Sequence, residues 1–219
     1  MAKPPPPDGA RRFIPPKPTL NSLRKAAQSC TGCPLYRNAT QTVFGAGPAK
    51  ARLMLVGEQP GDAEDRAGLP FVGPAGRLLD RALAEAGINR SRVYVTNAVK
   101  HFKWVQRGKR RLHSKPGARE IQACYPWLEA EIAALKPAVI VCLGATAAQT
   151  LLGRDFRVTQ RRGEFVATPF APHVMATIHP SSLLRAPDPE TRERELARFI
   201  AELRTVAALL CSGYKAVNS

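Results

Sequence analysis

The sequence predicts an α/β fold, a three-layer αβα sandwich around a central, mainly parallel sheet. Three observations carry this. Apolar runs of strand length stand at 52–57, 92–96, 138–144 and 174–178. Segments with helical spacing of apolar residues separate them, the alternation that builds parallel sheets covered on both faces. The runs end on or just before Gly57, Asn97, Gly144 and His179, and such sheets bind ligands outside the carboxyl ends of their strands.

The elements follow in order. Residues 1–18 are basic and Pro-rich and read as a flexible arm. Residues 19–210 read as a single domain and 211–219 as a tail. Leu20, Leu23, Ala26 and Ala27 predict a short helix running into Cys30. Arg52–Gly57 predicts a buried parallel strand, followed by a Gly/Pro-rich loop over 58–76. Helical spacing then covers 76–86, with Gly87 as its C-terminal cap. The strand at 92–96 has Asn97 just past its end. A long basic loop leads to a helix from about 116 to 135, stopped by Pro137. A third strand at 138–144 precedes a short helix at 145–152. Residues 163–168 predict an edge strand or hairpin arm, and 174–178 a strand ending at His179-Pro180-Ser181. A closing helix spans about 189–210, and there is no internal repeat.

Composition narrows the class of partner. Thirty-three Lys and Arg against seventeen Asp and Glu leave a net charge of +16, the footprint of a polyanion binder such as a nucleic acid. No apolar run approaches the roughly 18 residues of a membrane span. The N-terminus lacks the apolar core of a secretory signal. A cytoplasmic protein without membrane contact is expected.

Five cysteines, an odd number, argue against a disulfide framework in such a compartment. Cys30, Cys33, Cys124 and Cys142 form a C-x2-C … C-x17-C arrangement that suits zinc or an iron–sulfur cluster. The alternative is that Cys124 and Cys142 are small buried hydrophobes, Cys142 standing on a predicted core strand. Cys211 in the tail reads as a bystander.

Gly57-Glu58-Gln59-Pro60-Gly61 follows a strand directly, so the backbone can approach a ligand while Glu58 projects toward it to hold a water or orient a nucleophile. Phe71, in Pro70-Phe71-Val72-Gly73, offers a stacking face for an extruded base or else plugs the core. The Asn97 carboxamide can pair with O4 and N3–H of uracil while refusing cytosine, or can cap a strand end. His179 can donate to a base oxygen on which charge develops, or serve as a structural histidine. Between Lys100 and Arg119 there are eight Lys or Arg and no acid, interleaved with Phe102 and Trp104. Such a stretch suits phosphate binding, with Lys103, Arg107, Lys109, Arg110 and Arg111 as candidate contacts and His113 among them.

Together these motifs resemble the uracil-DNA glycosylase superfamily, in its iron–sulfur, family 4 branch, over about residues 20–210. The resemblance implies the uracil-DNA glycosylase fold, excision of uracil from single- or double-stranded DNA by a monomer, and a [4Fe–4S] cluster on Cys30, Cys33, Cys124 and Cys142. It implies Gly57, Phe71, Asn97 and His179 as the uracil pocket, Glu58 and His179 as catalytic groups, and Ser181 beside the DNA. Two details resemble the UdgX group: Gln59, where family 4 usually carries Ala, and Lys109-Arg110-Arg111-Leu112-His113, which departs from that group's signature by Leu for Ile. This closer likeness adds Gln59 to the catalytic set and implies that His113 attacks the sugar C1′ and leaves the protein covalently joined to DNA. A conventional hydrolytic family 4 enzyme and a non-catalytic cluster-bearing DNA-binding module are the alternatives.

Overall fold

Alternate side chains of each apolar run face opposite sides of a sheet, and both sides are covered. The computed structural model describes residues 9–215. Its strands are β1 (Leu53–Gly57), β2 (Val93–Asn97), β3 (Trp104–Arg107), β4 (Arg110–His113), β5 (Val139–Leu143), β6 (Phe165–Val166) and β7 (His173–Thr177). The helices are α1 (Leu20–Ala27), α2 (Asp62–Ala67), α3 (Pro74–Glu85), α4 (Ala118–Leu135), α5 (Ala145–Leu152), α6 (Val158–Arg161), α7 (Pro180–Leu183) and α8 (Pro189–Lys215). The main sheet runs β2-β1-β5-β7-β6, parallel except for the edge strand β6.

On one face Leu53, Leu55, Val93, Val95, Val139 and Val141 pack with Leu79 and Leu83 of α3 and Phe199, Leu203 and Val206 of α8. On the other, Met54, Val56, Tyr94, Ile140 and Cys142 pack with Leu128 and Ile132 of α4 and Leu151 of α5. The period-two exchange of neighbours such as Leu53 and Met54 is what a strand covered on both sides requires. A third core joins α1, the 30–35 segment and α4 around Trp127, whose ring meets Phe44 edge-on. The three-layer sandwich expected from the sequence is the observed architecture.

Four local expectations change. The loop 58–76 contains α2, because Glu64 folds back to accept from the amides of Gly61 (3.0 Å) and Gly73 (2.7 Å) and caps the turn. The basic loop is instead the antiparallel hairpin β3–β4, closed by the two-residue turn Gly108-Lys109 with Gly108 at φ 57. The closing helix continues to Lys215, so residues 211–215 belong to it. The predicted arm lies outside the described residues up to position 8. From Gly9 onward it docks on α4: Ala10 N–H donates to Ala123 O at 2.8 Å, and Arg11 pairs with Glu129 at 3.0 Å. Among the described residues no helix is long and apolar enough to cross a membrane.

The turn from α2 into α3 is held by close contact. Phe71 adopts the left-handed conformation (φ 58), and a Cβ on Gly76 would overlap the Phe71 carbonyl, which as backbone cannot yield. Gly76→Ala should therefore destabilise the fold by about 1–3 kcal/mol or more, measured as a lowered urea midpoint; an unchanged midpoint would contradict this packing.

Candidate active site

The carboxyl ends of β1, β2 and β7 meet along one edge of the sheet. Gly57 is the register partner of Asn97, and the chain continues into Glu58 on one side and Ala98 on the other. β7 ends at Thr177, two residues before His179. The Gly57, Phe71, Asn97 and His179 side of the prediction is thus brought together. A Cβ on Gly57 would stand 2.7 Å from Phe71 Cζ and closer still to Asn97 Oδ1, so only glycine lets the ring and the carboxamide share this corner. The Phe71 ring lies over His179 with 6.0 Å between centroids and 27° between planes. Asn97 is buried, and its carboxamide hydrogen-bonds to no group among the described residues. It is a buried donor–acceptor pair left without a protein partner among the described residues.

The tautomer of His179 follows from its neighbours. The amide of Ser181 donates to Nδ1 at 3.1 Å, and the Ser181 hydroxyl stands 2.8 Å from the same nitrogen. A nitrogen that accepts an amide proton carries none, so the ring proton sits on Nε2, free to donate outward. Ser181, expected at the DNA, is engaged in orienting this ring. Burial, only partly opposed by Glu58, pushes the His179 pKa from 6.5 down to about 4.

Glu58 stands between two helpers. Its Oε1 lies 3.1 Å from His113 Nε2, and its Oε2 accepts from the Thr146 hydroxyl at the start of α5. Burial alone would raise the Glu58 pKa; the hydrogen bonds from His113 and Thr146 outweigh it and hold the carboxyl below its ordinary value. Thr146 was missed from sequence. Its signal was position, just past the glycine that ends an apolar strand. His113 comes from the far end of β4, its side chain half exposed at 51%.

The hairpin that carries His113 is fastened at its base and along its side. Gln59 donates through Nε2 to the carbonyls of Lys103 and Ser114, both at 3.1 Å, and accepts from the Lys103 amide at 3.1 Å. Its carboxamide therefore straps together the two strand ends rather than facing the pocket. Arg111 donates to Asp62 (2.5 Å) and Asp65 (2.7 Å), and Lys103 pairs with Glu120 at 2.8 Å. These two cations, expected on phosphate, are engaged inside the protein. Arg107, Lys109 and Arg110 are exposed around the hairpin turn, where a polyanion can reach them.

The cysteines divide. Cys30, Cys33 and Cys124 share the third core, with the Trp127 indole N–H donating to Cys30 Sγ and the Lys100 amide to Cys124 Sγ, both at 3.2 Å. Cys142 is a β5 side chain in the second core, packed among apolar groups, and burial pushes its pKa up to about 12. The predicted set of four therefore does not fit one cluster, because β5 points Cys142 into a different layer. Three thiols with N–H donors aimed at two sulfurs do suit a thiolate-bound metal group. Among the described residues no three His, Cys, Asp or Glu side chains already stand in ligating geometry. His101, passed over in the sequence, is buried directly after Lys100, its Nε2 at 2.9 Å from Thr42 Oγ1.

The pocket's histidine has a consequence for stability. The unfolded chain takes up a proton at His179 as the pH falls through 6.5, whereas the folded pocket does so only near 4. Its contribution is intact above 6.5 and declines as the pH drops toward 4. His179→Gln should flatten that decline, read as the difference between urea midpoints at about pH 7 and about pH 5; the same difference in both proteins would refute it.

Comparisons with known proteins give the family. A family model described as the uracil DNA glycosylase superfamily matches residues 44–204. The chain is 40% identical over 184 residues to a type-4 uracil-DNA glycosylase of Thermotoga maritima, covering 84% of this chain and 90% of that one. A type-4 uracil-DNA glycosylase of Pyrobaculum aerophilum is 35% identical over 175 residues, 77% of this chain and 86% of its own. A type-5 uracil-DNA glycosylase of Thermus thermophilus is 31% identical over 186 residues, 76% and 81% of the respective chains. With a matched model over most of its length and relatives matched nearly end to end, the chain belongs to the uracil DNA glycosylase superfamily.

Proposed function

We propose that this protein excises uracil from DNA and then captures the exposed sugar on His113. The observation that carries the second half is the contact of His113 Nε2 with Glu58 Oε1 at 3.1 Å. It sets an imidazole beside the carboxylate that a hydrolytic enzyme would use to hold water, which supports the reading.

The steps follow from the groups present. Exposed Arg107, Lys109 and Arg110 meet backbone phosphates of single- or double-stranded DNA, which one copy of the chain suffices to bind. An extruded uracil stacks on Phe71, pairs through O4 and N3–H with the Asn97 carboxamide, and receives a hydrogen bond at O2 from His179 Nε2–H. A thymine methyl or a cytosine amino group would meet this corner with the wrong shape or the wrong donor pattern. Cleavage of the N1–C1′ bond sends its electron pair to the base, and the His179 donor stabilises the anion. The sugar left behind is an oxocarbenium ion. A neutral imidazole of His113 adds through a ring nitrogen to C1′, and the resulting positive ring is steadied by Glu58. Among the described residues no second base stands ready to break that bond, so the protein ends joined to the DNA.

A second reading, a conventional family 4 enzyme in which Glu58 holds a hydrolytic water, fits the type-4 relatives as well. A single-stranded uracil oligonucleotide decides between them. Incubation should give a complex that survives boiling in denaturant, with close to one equivalent of uracil released per protein. His113→Ser should abolish that complex while leaving the fold intact. Multiple turnover with free abasic product would establish hydrolysis instead.

The thiol site is a separate part of the proposal. Cys30, Cys33 and Cys124 hold an iron–sulfur cluster as a structural group, and Cys142 is not among its ligands. Cys124→Ala should lose the broad visible absorption of thiolate-bound iron and most of the bound iron. Cys142→Ala should keep both; loss of the absorption in Cys142→Ala would return that residue to the ligand set.

A further inference from the structure

Lys100 and Glu131 form an ion pair at 2.5 Å whose two side chains are wholly buried, and the chemistry above makes no use of either. Two charges taken from water are costly, and an apolar pair of similar volume holds a core together as well or better. What the pair can provide instead is position. The Lys100 ammonium has three protons, and each is directed: to Glu131 Oε2, to Thr96 Oγ1 at 2.6 Å and to the Asn97 carbonyl at 2.7 Å. Glu131 Oε1 accepts from Tyr94 O–H at 2.8 Å and Thr96 Oγ1 at 3.0 Å. The last four residues of β2 are thus gripped at 94, 96 and 97. Gly45 leaves room for this, since a Cβ there would run into Glu131 Oε1 and Tyr94 O–H.

The end of β2 is where the pocket needs precision. The Asn97 carboxamide has no protein partner among the described residues, so nothing but its backbone and the packing of Gly57 and Phe71 sets its direction. Lys100 also ties the end of β2 to α4, because its amide donates to Cys124 Sγ while its ammonium holds the Asn97 carbonyl. We infer that the Lys100–Glu131 pair is a positioning device that aims the Asn97 carboxamide at the base. This rests on the uracil pocket proposed above.

The test is a double-mutant cycle. Lys100→Met with Glu131→Leu removes both charges together and strands neither. Uracil release is measured in single turnover, in the otherwise unaltered protein and in Asn97→Ala. The paired substitution should slow release at saturating DNA about thirtyfold when Asn97 is present and less than about threefold when it is absent. Its DNA affinity should change little, since the exposed cations are untouched. Equal losses in both backgrounds would assign the pair to general stability and overturn the inference. A readout free of activity runs beside it. The Asn97 side-chain amide signal in a nitrogen–proton spectrum, identified by its disappearance in Asn97→Ala, should be sharp in the parent and broadened by exchange in the paired variant. An equally sharp signal in both would also overturn the inference. Should the parent release no uracil, the functional reading fails and the amide signal alone decides the role of the pair. If the paired variant does not fold, Glu131→Gln, which keeps the shape and drops the charge, is judged by the same criteria.

Discussion

The register between β1 and β2 sets Gly57 opposite Asn97, and everything in the pocket depends on that pairing. A side chain at 57 would occupy the space of the Asn97 carboxamide and of the Phe71 ring edge. The absence of one lets the Phe71 ring, stacked on His179, and the Asn97 carboxamide, unpartnered among the described residues, share one corner. A parallel sheet is suited to this, because its strands all finish on one edge and the turns beyond them converge. Phe71 holds a left-handed backbone conformation in the same corner, the kind of local strain that a surrounding fold sustains at functional sites.

The strongly basic segment behaves differently from its composition. A run of cations with no acid reads as a phosphate surface, but a folded hairpin has an inside and an outside. Arg111 faces inward, against Asp62 and Asp65 and over the rings of Phe102 and Trp104 at 5.5 Å. Lys103 faces α4. Asp62 and Asp65 lie 49 and 46 residues before Arg111, and Glu120 stands just past the end of the run, so a count of charge within the run pairs none of them. What remains outside is Arg107, Lys109 and Arg110 around the hairpin turn, with Lys115 and Arg119 beyond it. The inward contacts, with the Gln59 strap, fasten the hairpin that carries His113.

A similar division separates the cysteines. Spacing along the chain offers four thiols; the layers of the sandwich offer three in one core and one in another. Position 142 belongs to a strand whose period of two sends Ile140 and Cys142 to the α4–α5 face, at the centre of the sheet. The buried thiol there is a small hydrophobe. Cys30 and Cys33 instead meet Cys124 because α1 packs on α4.

By itself the sequence determined the fold class, the main strands and the residues at their ends, because burial on both faces leaves an apolar run that composition cannot hide. It also marked Glu58, Asn97 and His179, since a polar residue just past a buried strand has few other places to be. Tertiary structure alone decided which of those residues face the pocket and which support it. Gln59 and Ser181 proved to be supports, Thr146 a partner of Glu58, and Lys100–Glu131 a clamp beneath Asn97. These are matters of hydrogen-bond geometry between segments many residues apart, where a donor's direction decides its role and residue type does not. The resemblance read from the motifs already pointed to the uracil-DNA glycosylase family; what the fold added is the arrangement by which those motifs become one site.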